Sequence, residues 1–267
     1  MNCPDDLIHS NSPLLSWRDG AIAHLRFNRP AALNAIDLAT AQAFRSACEV
    51  LAEDREVRAV VISGAGRAFI AGGDVASLRE DPVANAQKGI ALVHAGVSIL
   101  AALEAPVIAS VHGAVAGGGL GIMLGCDLTI AAEGTRFSLA YPNLGASCDC
   151  STSWVLPRVV GLRKALEIAL LDGMFDADEA LRLGVVNRVV PADRLEQEAG
   201  ALAARLASGP TRALGQLKRL MCDSFERSFD EQLAAEAEAF VQCASTADFR
   251  EGVGAFVEKR TPCFRGE

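Results

Sequence analysis

The sequence lacks the features of several common protein classes. Its eight cysteines form no CxxC pair, so we expect reduced thiols rather than disulfides or a zinc site. Lys and Arg number 25 against 33 Asp and Glu, an acidic excess that argues against a nucleic-acid partner or an anionic membrane surface. The longest apolar run, Pro106 to Leu128, is interrupted by His112 and several glycines, so it is a poor membrane span.

Motifs of common enzyme classes are also missing. Neither of the two glycine-rich stretches is a clean GxGxxG, and there is no GxxxxGK[ST] phosphate loop and no GxSxG nucleophile turn. The first residues, Met1 to Trp17, include two early aspartates and no basic region, so they do not resemble a secretory signal. Together with the thiol pattern, this predicts a cytoplasmic protein.

What is present is the pattern of an α/β protein. The 267 residues are 51% hydrophobic, enough for one large core. An alternating strand is predicted at Ala21–Phe27, and buried strands at Val57–Ser63, Pro106–Val111 and Leu128–Ala132; helices are predicted at Asp37–Ala52 and Val83–Glu104. Strands that alternate with helices predict parallel βαβ units, and such folds bind ligands at the carboxyl ends of the strands.

The chain beyond Gly161 is predicted to be mostly helical. Asp176 resembles a helix N-cap, Gly184 a helix stop, and Val185–Val190 a short strand. Three amphipathic helices follow after residue 200. We therefore predict a core over residues 1–200 and a helical appendage over residues 201–267 that docks on the core or on a neighbouring subunit.

Two glycine-rich loops, Gly64–Asp74 and His112–Gly121, each follow a predicted buried strand. Glycines allow tight turns and close packing, which is the simpler explanation for each loop alone. Together, the loops could direct backbone N–H groups into one crevice, where two donors that converge on one oxygen form an oxyanion hole. A thioester carbonyl suits such a hole, because stabilising its enolate makes the adjacent carbon acidic.

Five segments carry a resemblance to a known family. They are FNRPAALNAI, GAGRAFIAGGDV, VIASVHGAVAGGGLGIMLGCDLTIAAEGTRF, DADEALRLGVVNRVVP and FREGVGAFVEKRTPCF, in this order along the chain. The sequence resembles the crotonase superfamily, the enoyl-CoA hydratase/isomerase family, along nearly its whole length. The resemblance implies the crotonase (ClpP-like) α/β fold, a spiral of ββα repeats with C-terminal helices that form trimers. It also implies an acyl-CoA thioester substrate, with no further cofactor and no metal.

The resemblance also implies which residues form the site. The oxyanion hole would be the amides of Gly73 and Gly118. Coenzyme A would lie along Arg29, Ala32, Ala71, Gly72 and Asp74, and in many relatives an aromatic residue and a lysine of the last helix complete this site, here Phe256 and Lys259. The last two are often contributed across the interface of a homotrimer or a dimer of trimers, although Lys259 could equally be a solvated surface residue.

Two departures from the family pattern bear on the reaction. Hydratases of the family use two glutamates, and this chain has Gly121 and Tyr141 at the corresponding positions. A glycine cannot transfer a proton, and a tyrosine with an ordinary pKa near 10 is a poor base. Hydration by two carboxylates is therefore not expected.

One carboxylate remains, Asp149, at a position like that of the acid in isomerases of the phenylacetate-degradation type. A single base suits an isomerase, because it can remove a proton at one carbon and return it at another. The competing role is a cap for the helix that follows. Tyr141 could donate a hydrogen bond to Asp149, and His94 could also reach the pocket.

The function predicted from the sequence is double-bond isomerisation of an enoyl-CoA. Three alternatives stay open at this stage. They are an enoyl-CoA hydratase with a non-standard acid and base, an aryl-CoA dehalogenase in which Asp149 attacks the ring and His94 activates water, and a non-catalytic acyl-CoA binder. An RNA-binding relative is a weaker possibility, because the chain is net acidic.

Overall fold

Six strands form the main sheet of the computed structural model, which describes Pro4, Leu7 and residues 9–267. In spatial order they are β1 (Leu14–Asp19), β2 (Ile22–Phe27), β3 (Ala59–Gly64), β4 (Val107–Val111), β6 (Leu128–Ala132) and β9 (Arg188–Val190). Strand β1 pairs antiparallel with β2, and the other neighbours are parallel. The predicted α/β class is confirmed.

Helices cover both faces of this sheet. Helices α1 (Leu38–Glu53) and α2 (Pro82–Ala102) pack on one face, and Gly96 of α2 lies so close to the Phe44 ring of α1 that a Cβ there would come within 2.5 Å of a ring carbon. Helix α7 (Leu195–Ala207) covers the other face with buried alanines such as Ala203. Burial on both faces explains why β3 and β4 are mostly apolar, with one serine each.

A small second sheet supports the second glycine loop. It contains β5 (Ala114–Ala116), β7 (Arg136–Ser138) and β8 (Phe175–Asp176), and the short helix α3 (Gly118–Leu124) begins directly after β5. Three helices complete this part of the chain: α4 (Thr152–Val160), α5 (Leu162–Leu171) and α6 (Ala177–Arg182). Asp176 caps α6 by accepting the Glu179 amide, and Gly184 follows it in the left-handed region, both as predicted.

The last three helices are α8 (Thr211–Asp223), α9 (Phe229–Ala244) and α10 (Ala247–Glu258). Arg58 ties them to the core, because its guanidinium donates to Thr211 Oγ1 at 3.1 Å and to the Phe264 carbonyl at 3.2 Å. Residue 200, the predicted domain boundary, lies inside α7, and the division into two domains stays a prediction.

The thiols and the helix lengths complete the description of the fold. Cys3 lies outside the described residues, and the seven other cysteines are free thiols. Within the described part of the chain, none of the helices combines the length and the apolar character that crossing a membrane requires.

Candidate active site

The two glycine-rich loops meet at Gly72 and Gly117. Both residues have positive φ, +115° and +51° respectively, and a Cβ on Gly117 would lie 3.4 Å from the Gly72 Cα atom. Glycine is therefore favoured at both positions by the backbone conformation. The contact places Gly73 and Gly118, the next residue of each loop, side by side.

The amides of Gly73 and Gly118 are free to bind a ligand. Gly118 is the first residue of α3, where an amide has no acceptor inside its own helix. Among the described residues, neither amide donates a hydrogen bond to another backbone group. Both glycines line one cavity of about 470 Å³, so two amides without a backbone partner border the same space, and their role as an oxyanion hole stays a prediction.

Most of the cavity wall is aliphatic. The large aliphatic side chains come from the loop before α1 and its first residue, from the segment after the first glycine loop, from α2 and from the segment between β7 and α4; they are Ile36, Leu38, Val75, Leu78, Ile90, Val93, Leu139 and Leu144. Among the residues that the structure describes, Tyr141 is the sole aromatic side chain in the wall. Such a wall suits an acyl chain more than a ring held by aromatic stacking.

Three carboxylates line the cavity, and only one of them lacks a cationic partner within the described residues. Asp37 and Asp74 both pair with the Arg29 guanidinium, at 3.1 Å each. Asp149 instead accepts the hydroxyl hydrogen of Tyr141. Its carboxylate lies beside the hole, because a Cβ on Gly118 would be 3.8 Å from Asp149 Oδ1.

Tyr141 is a hydrogen-bond donor in this pair and not a base. Burial raises the pKa of its hydroxyl well above the ordinary value, and the neighbouring Asp149 carboxylate raises it further. The hydroxyl therefore keeps its proton at neutral pH. The capping role considered for Asp149 is not observed for its side chain: helix α4 begins after Ser151 without a side-chain cap.

Position 121, where hydratases of the resembled family have a glutamate, has no room for a side chain. A Cβ on Gly121 would lie 2.5 Å from the Cys150 Cβ and carbonyl oxygen, and 2.8 Å from Thr152 Oγ1. The loop that carries Asp149 thus occupies the space that a side chain at position 121 would need. A glutamate at this position would require that loop to move.

The His94 side chain contacts a backbone amide of the loop that carries Asp149. Its Nε2 atom accepts the Cys150 amide hydrogen at 3.0 Å. One potential metal-ligand atom each of His94, Asp149 and Cys150 lies within 4.8 Å of the other two, a spacing that could hold a metal ion. The chemistry does not favour an ion, because the Nε2 lone pair is already occupied and burial raises the pKa of the Cys150 thiol, which keeps it protonated.

Asp172 is a supporting residue that sequence reasoning missed. Its carboxylate accepts the amide hydrogen of Ala140 at 2.8 Å and also binds the Asn143 side chain, and so holds the segment on both sides of Tyr141. Ala140 and Asp172 are themselves in the left-handed region, at φ +62° and +45°. A lone aspartate after a helix gives no sequence signal for this role.

The residues predicted to bind coenzyme A divide into two groups. The first group lies together in one corner of the fold and contains Arg29, Ala32, Ala71, Gly72 and Asp74. The Ala71 amide donates to the Leu33 carbonyl at 3.1 Å, and the Arg29 guanidinium pairs with the Asp74 carboxylate. The buried Asn34 side chain holds this corner by donating to the carbonyls of Ala65, Ala68 and Phe69.

The other two predicted residues, Phe256 and Lys259, do not line the cavity of their own chain. Phe256 is 86% exposed on α10, where it borders a separate surface depression with Phe249 and Phe264. Lys259 is exposed at the end of the same helix. A role for either at the cavity would require another subunit.

Comparison with known proteins agrees with this architecture. The family model described as enoyl-CoA hydratase/isomerase matches residues 18–267. The chain belongs to the enoyl-CoA hydratase/isomerase family. A curated member, 1,2-epoxyphenylacetyl-CoA isomerase of Escherichia coli strain K12, is 34% identical over 95% of this chain and 98% of its own. Another member, short-chain-enoyl-CoA hydratase of Clostridium acetobutylicum, is 34% identical over 91% and 94%.

Solved structures of the family have the same fold. The crystal structure of enoyl-CoA hydratase from Mycobacterium smegmatis superposes with a TM-score of 0.88 at 34% identity, and the match covers 94% of this chain and 98% of that one. The crotonase fold implied by the resemblance is thereby confirmed. The chain is an acyl-CoA enzyme of this family, and its members include both isomerases and hydratases.

Proposed function

We propose that this family member is a double-bond isomerase that interconverts 3-enoyl-CoA and 2-enoyl-CoA thioesters. The observation that carries the proposal is the carboxylate count of the cavity. Asp37 and Asp74 are paired with Arg29, which leaves Asp149 beside the two unpaired amides. One free acid next to an oxyanion hole is what a proton shuttle requires.

The proposed reaction moves one proton. Asp149 removes a proton from C2 of the 3-enoyl thioester, and the electron pair delocalises onto the thioester oxygen, where the amides of Gly73 and Gly118 stabilise the charge. The protonated Asp149 then delivers the proton to C4, the double bond moves to C2–C3, and the carbonyl is restored. The Tyr141 hydroxyl, which donates to Asp149, fixes the orientation of the carboxylate.

Two observations favour isomerisation over the other reactions of the family. Hydration needs a second acid, and Cys150 fills the space beside Gly121 where that acid would be. Attack on an aromatic ring needs a wall that holds the ring, and in the described part of the chain Tyr141 alone contributes an aromatic side chain to this cavity.

Assays of the purified wild-type enzyme with 3-enoyl-CoA and with 2-enoyl-CoA test the proposal. We expect 3-enoyl-CoA to gain the ultraviolet absorbance of a conjugated thioester, and 2-enoyl-CoA to form little 3-hydroxyacyl-CoA. Rapid hydration of 2-enoyl-CoA would contradict the isomerase proposal, and halide release from a haloaryl-CoA would favour a dehalogenase. Binding of acyl-CoA without proton exchange at C2 would indicate a non-catalytic binder.

We also propose that the enzyme is a homotrimer or a dimer of trimers in the cytoplasm, with coenzyme A along Arg29, Ala32 and the Ala71–Asp74 turn. The proposed cytoplasmic location rests on the cysteine pattern and on the first residues, which do not resemble a secretory signal. Large apolar side chains on the C-terminal helices support the oligomer, because Phe229 is 77% exposed and Phe256 is 86% exposed in the single chain. The family resemblance implies that Phe256 and Lys259 would then reach the cavity of a neighbouring subunit.

Light scattering checks the oligomer. We expect a mass of three or six times that of the 28.0 kDa chain. Phe229→Asp and Phe256→Asp together would shift the mass towards the monomer, because a carboxylate in an apolar interface is poorly solvated. A wild-type mass of one chain would contradict the proposal.

A further inference from the structure

We propose that His94 is the positioning residue for Asp149: by accepting the Cys150 amide hydrogen, it holds the loop that carries the acid in its active conformation. This inference rests on the isomerase function proposed above. It assigns His94 a role that differs from activation of water, the role it would have in a dehalogenase.

The loop after Asp149 needs such a contact. Cys150 and Ser151 are consecutive non-glycine residues in the left-handed region, at φ +50° and +69°. This conformation costs conformational energy, and it persists only where the surrounding structure fixes it. Relaxation of Cys150 would rotate the preceding peptide and move the Asp149 carboxylate away from the amide of Gly118.

The helix that carries His94 is itself held firmly. Helix α2 starts with an Asp81 side-chain cap and packs through Gly96 directly against the Phe44 ring. Val93, the residue before His94, is buried and lines the same cavity as Asp149. The imidazole therefore extends from a fixed support, although the ring itself is exposed.

The hydrogen bond also indicates the tautomer of the ring. A ring nitrogen that accepts a hydrogen bond carries no hydrogen, so the proton of the neutral imidazole is assigned to Nδ1. The Nε2 lone pair is engaged by the amide and is not available to take a proton from water. This arrangement opposes a general-base role for His94 and matches a purely positional one.

Two variants separate these roles. His94→Gln keeps an acceptor at a similar reach from the helix, whereas His94→Leu removes the acceptor and keeps the bulk. We expect His94→Leu to lower kcat for 3-enoyl-CoA isomerisation roughly tenfold to a hundredfold, with KM little changed, because a misplaced catalytic group costs about this much. His94→Gln should recover most of the wild-type kcat.

A second readout follows the bond itself. Amide hydrogen exchange of Cys150, measured by NMR on the folded enzyme, should be slow in wild type and in His94→Gln, and fast in His94→Leu. If kcat falls roughly 10²–10⁴-fold in both His94→Leu and His94→Gln, the proposal is overturned and His94 acts as a base. Unchanged kcat in both, or unchanged Cys150 exchange in His94→Leu, would also overturn it. If Asp149→Asn keeps its isomerase activity, the proposed function fails, irrespective of the His94 results.

Discussion

We expect the Asp149→Asn variant to lose isomerase activity roughly 10²–10⁴-fold, the range that a removed general acid–base group usually costs. The amide oxygen of asparagine can still accept the Tyr141 hydroxyl, so the loop keeps its contacts. The loss should therefore appear in kcat, while the melting temperature and the affinity for a saturated acyl-CoA stay close to wild type. Steady-state assays with 3-enoyl-CoA measure the effect.

Asp178→Asn is the matched control for this variant. Asp178 is an exposed carboxylate of α6, and within the described residues it makes no ion pair or side-chain hydrogen bond. This control should isomerise 3-enoyl-CoA at the wild-type rate. An Asp149→Asn enzyme as active as the control would remove Asp149 from the mechanism.

The second large effect concerns the oxyanion hole. We expect Gly118→Pro to lower kcat roughly 10²–10³-fold, because it removes one of the two hydrogen-bond donors. Gly118 is the first residue of α3, a position where proline fits a helix because its amide has no acceptor in the helix. The measurement is kcat together with the melting temperature, which should stay near that of wild type.

Gly118→Ala separates the lost donor from the added bulk. A Cβ on Gly118 would have its nearest neighbour at 3.5 Å, the Cys150 Sγ atom, which is an ordinary contact. Alanine keeps the amide hydrogen, so this variant should retain most of its activity. Equal losses for alanine and proline would mean that bulk, and not the donor, controls the rate.

The main sheet could be predicted because its central strands are buried on both faces. Strands β3, β4 and β6 are short apolar runs that end in turns, and their boundaries agree with the sequence to within about two residues. Strand β1 was missed because it lies at the edge of the sheet, with Ser16, Arg18 and Asp19 exposed. Its conformation depends on pairing with β2, which no local pattern encodes.

The candidate site also contains features that the sequence predicts and features that it does not. That Gly73, Gly118 and Asp149 lie at one cavity could be predicted, since their positions match family motifs; their roles stay predictions. Three contacts could not be predicted. They are the packing of Cys150 against Gly121, the hydrogen bond from the Ala140 amide to the Asp172 carboxylate, and the hydrogen bond from the Cys150 amide to His94 Nε2. Each joins backbone atoms of one segment to a distant one, and a residue type does not reveal which backbone atoms it will meet.

Transfer of deuterium within the substrate tests the central claim most directly. With 3-enoyl-CoA deuterated at C2, an acid that carries the same proton from C2 to C4 should leave part of the label at C4 of the 2-enoyl product, observable by NMR. We predict this transfer in the wild-type enzyme and its loss in Asp149→Asn. With both C2 hydrogens replaced by deuterium, one deuteron stays at C2 in any case, and a 2-enoyl product that carries no deuterium at C4 would contradict the account.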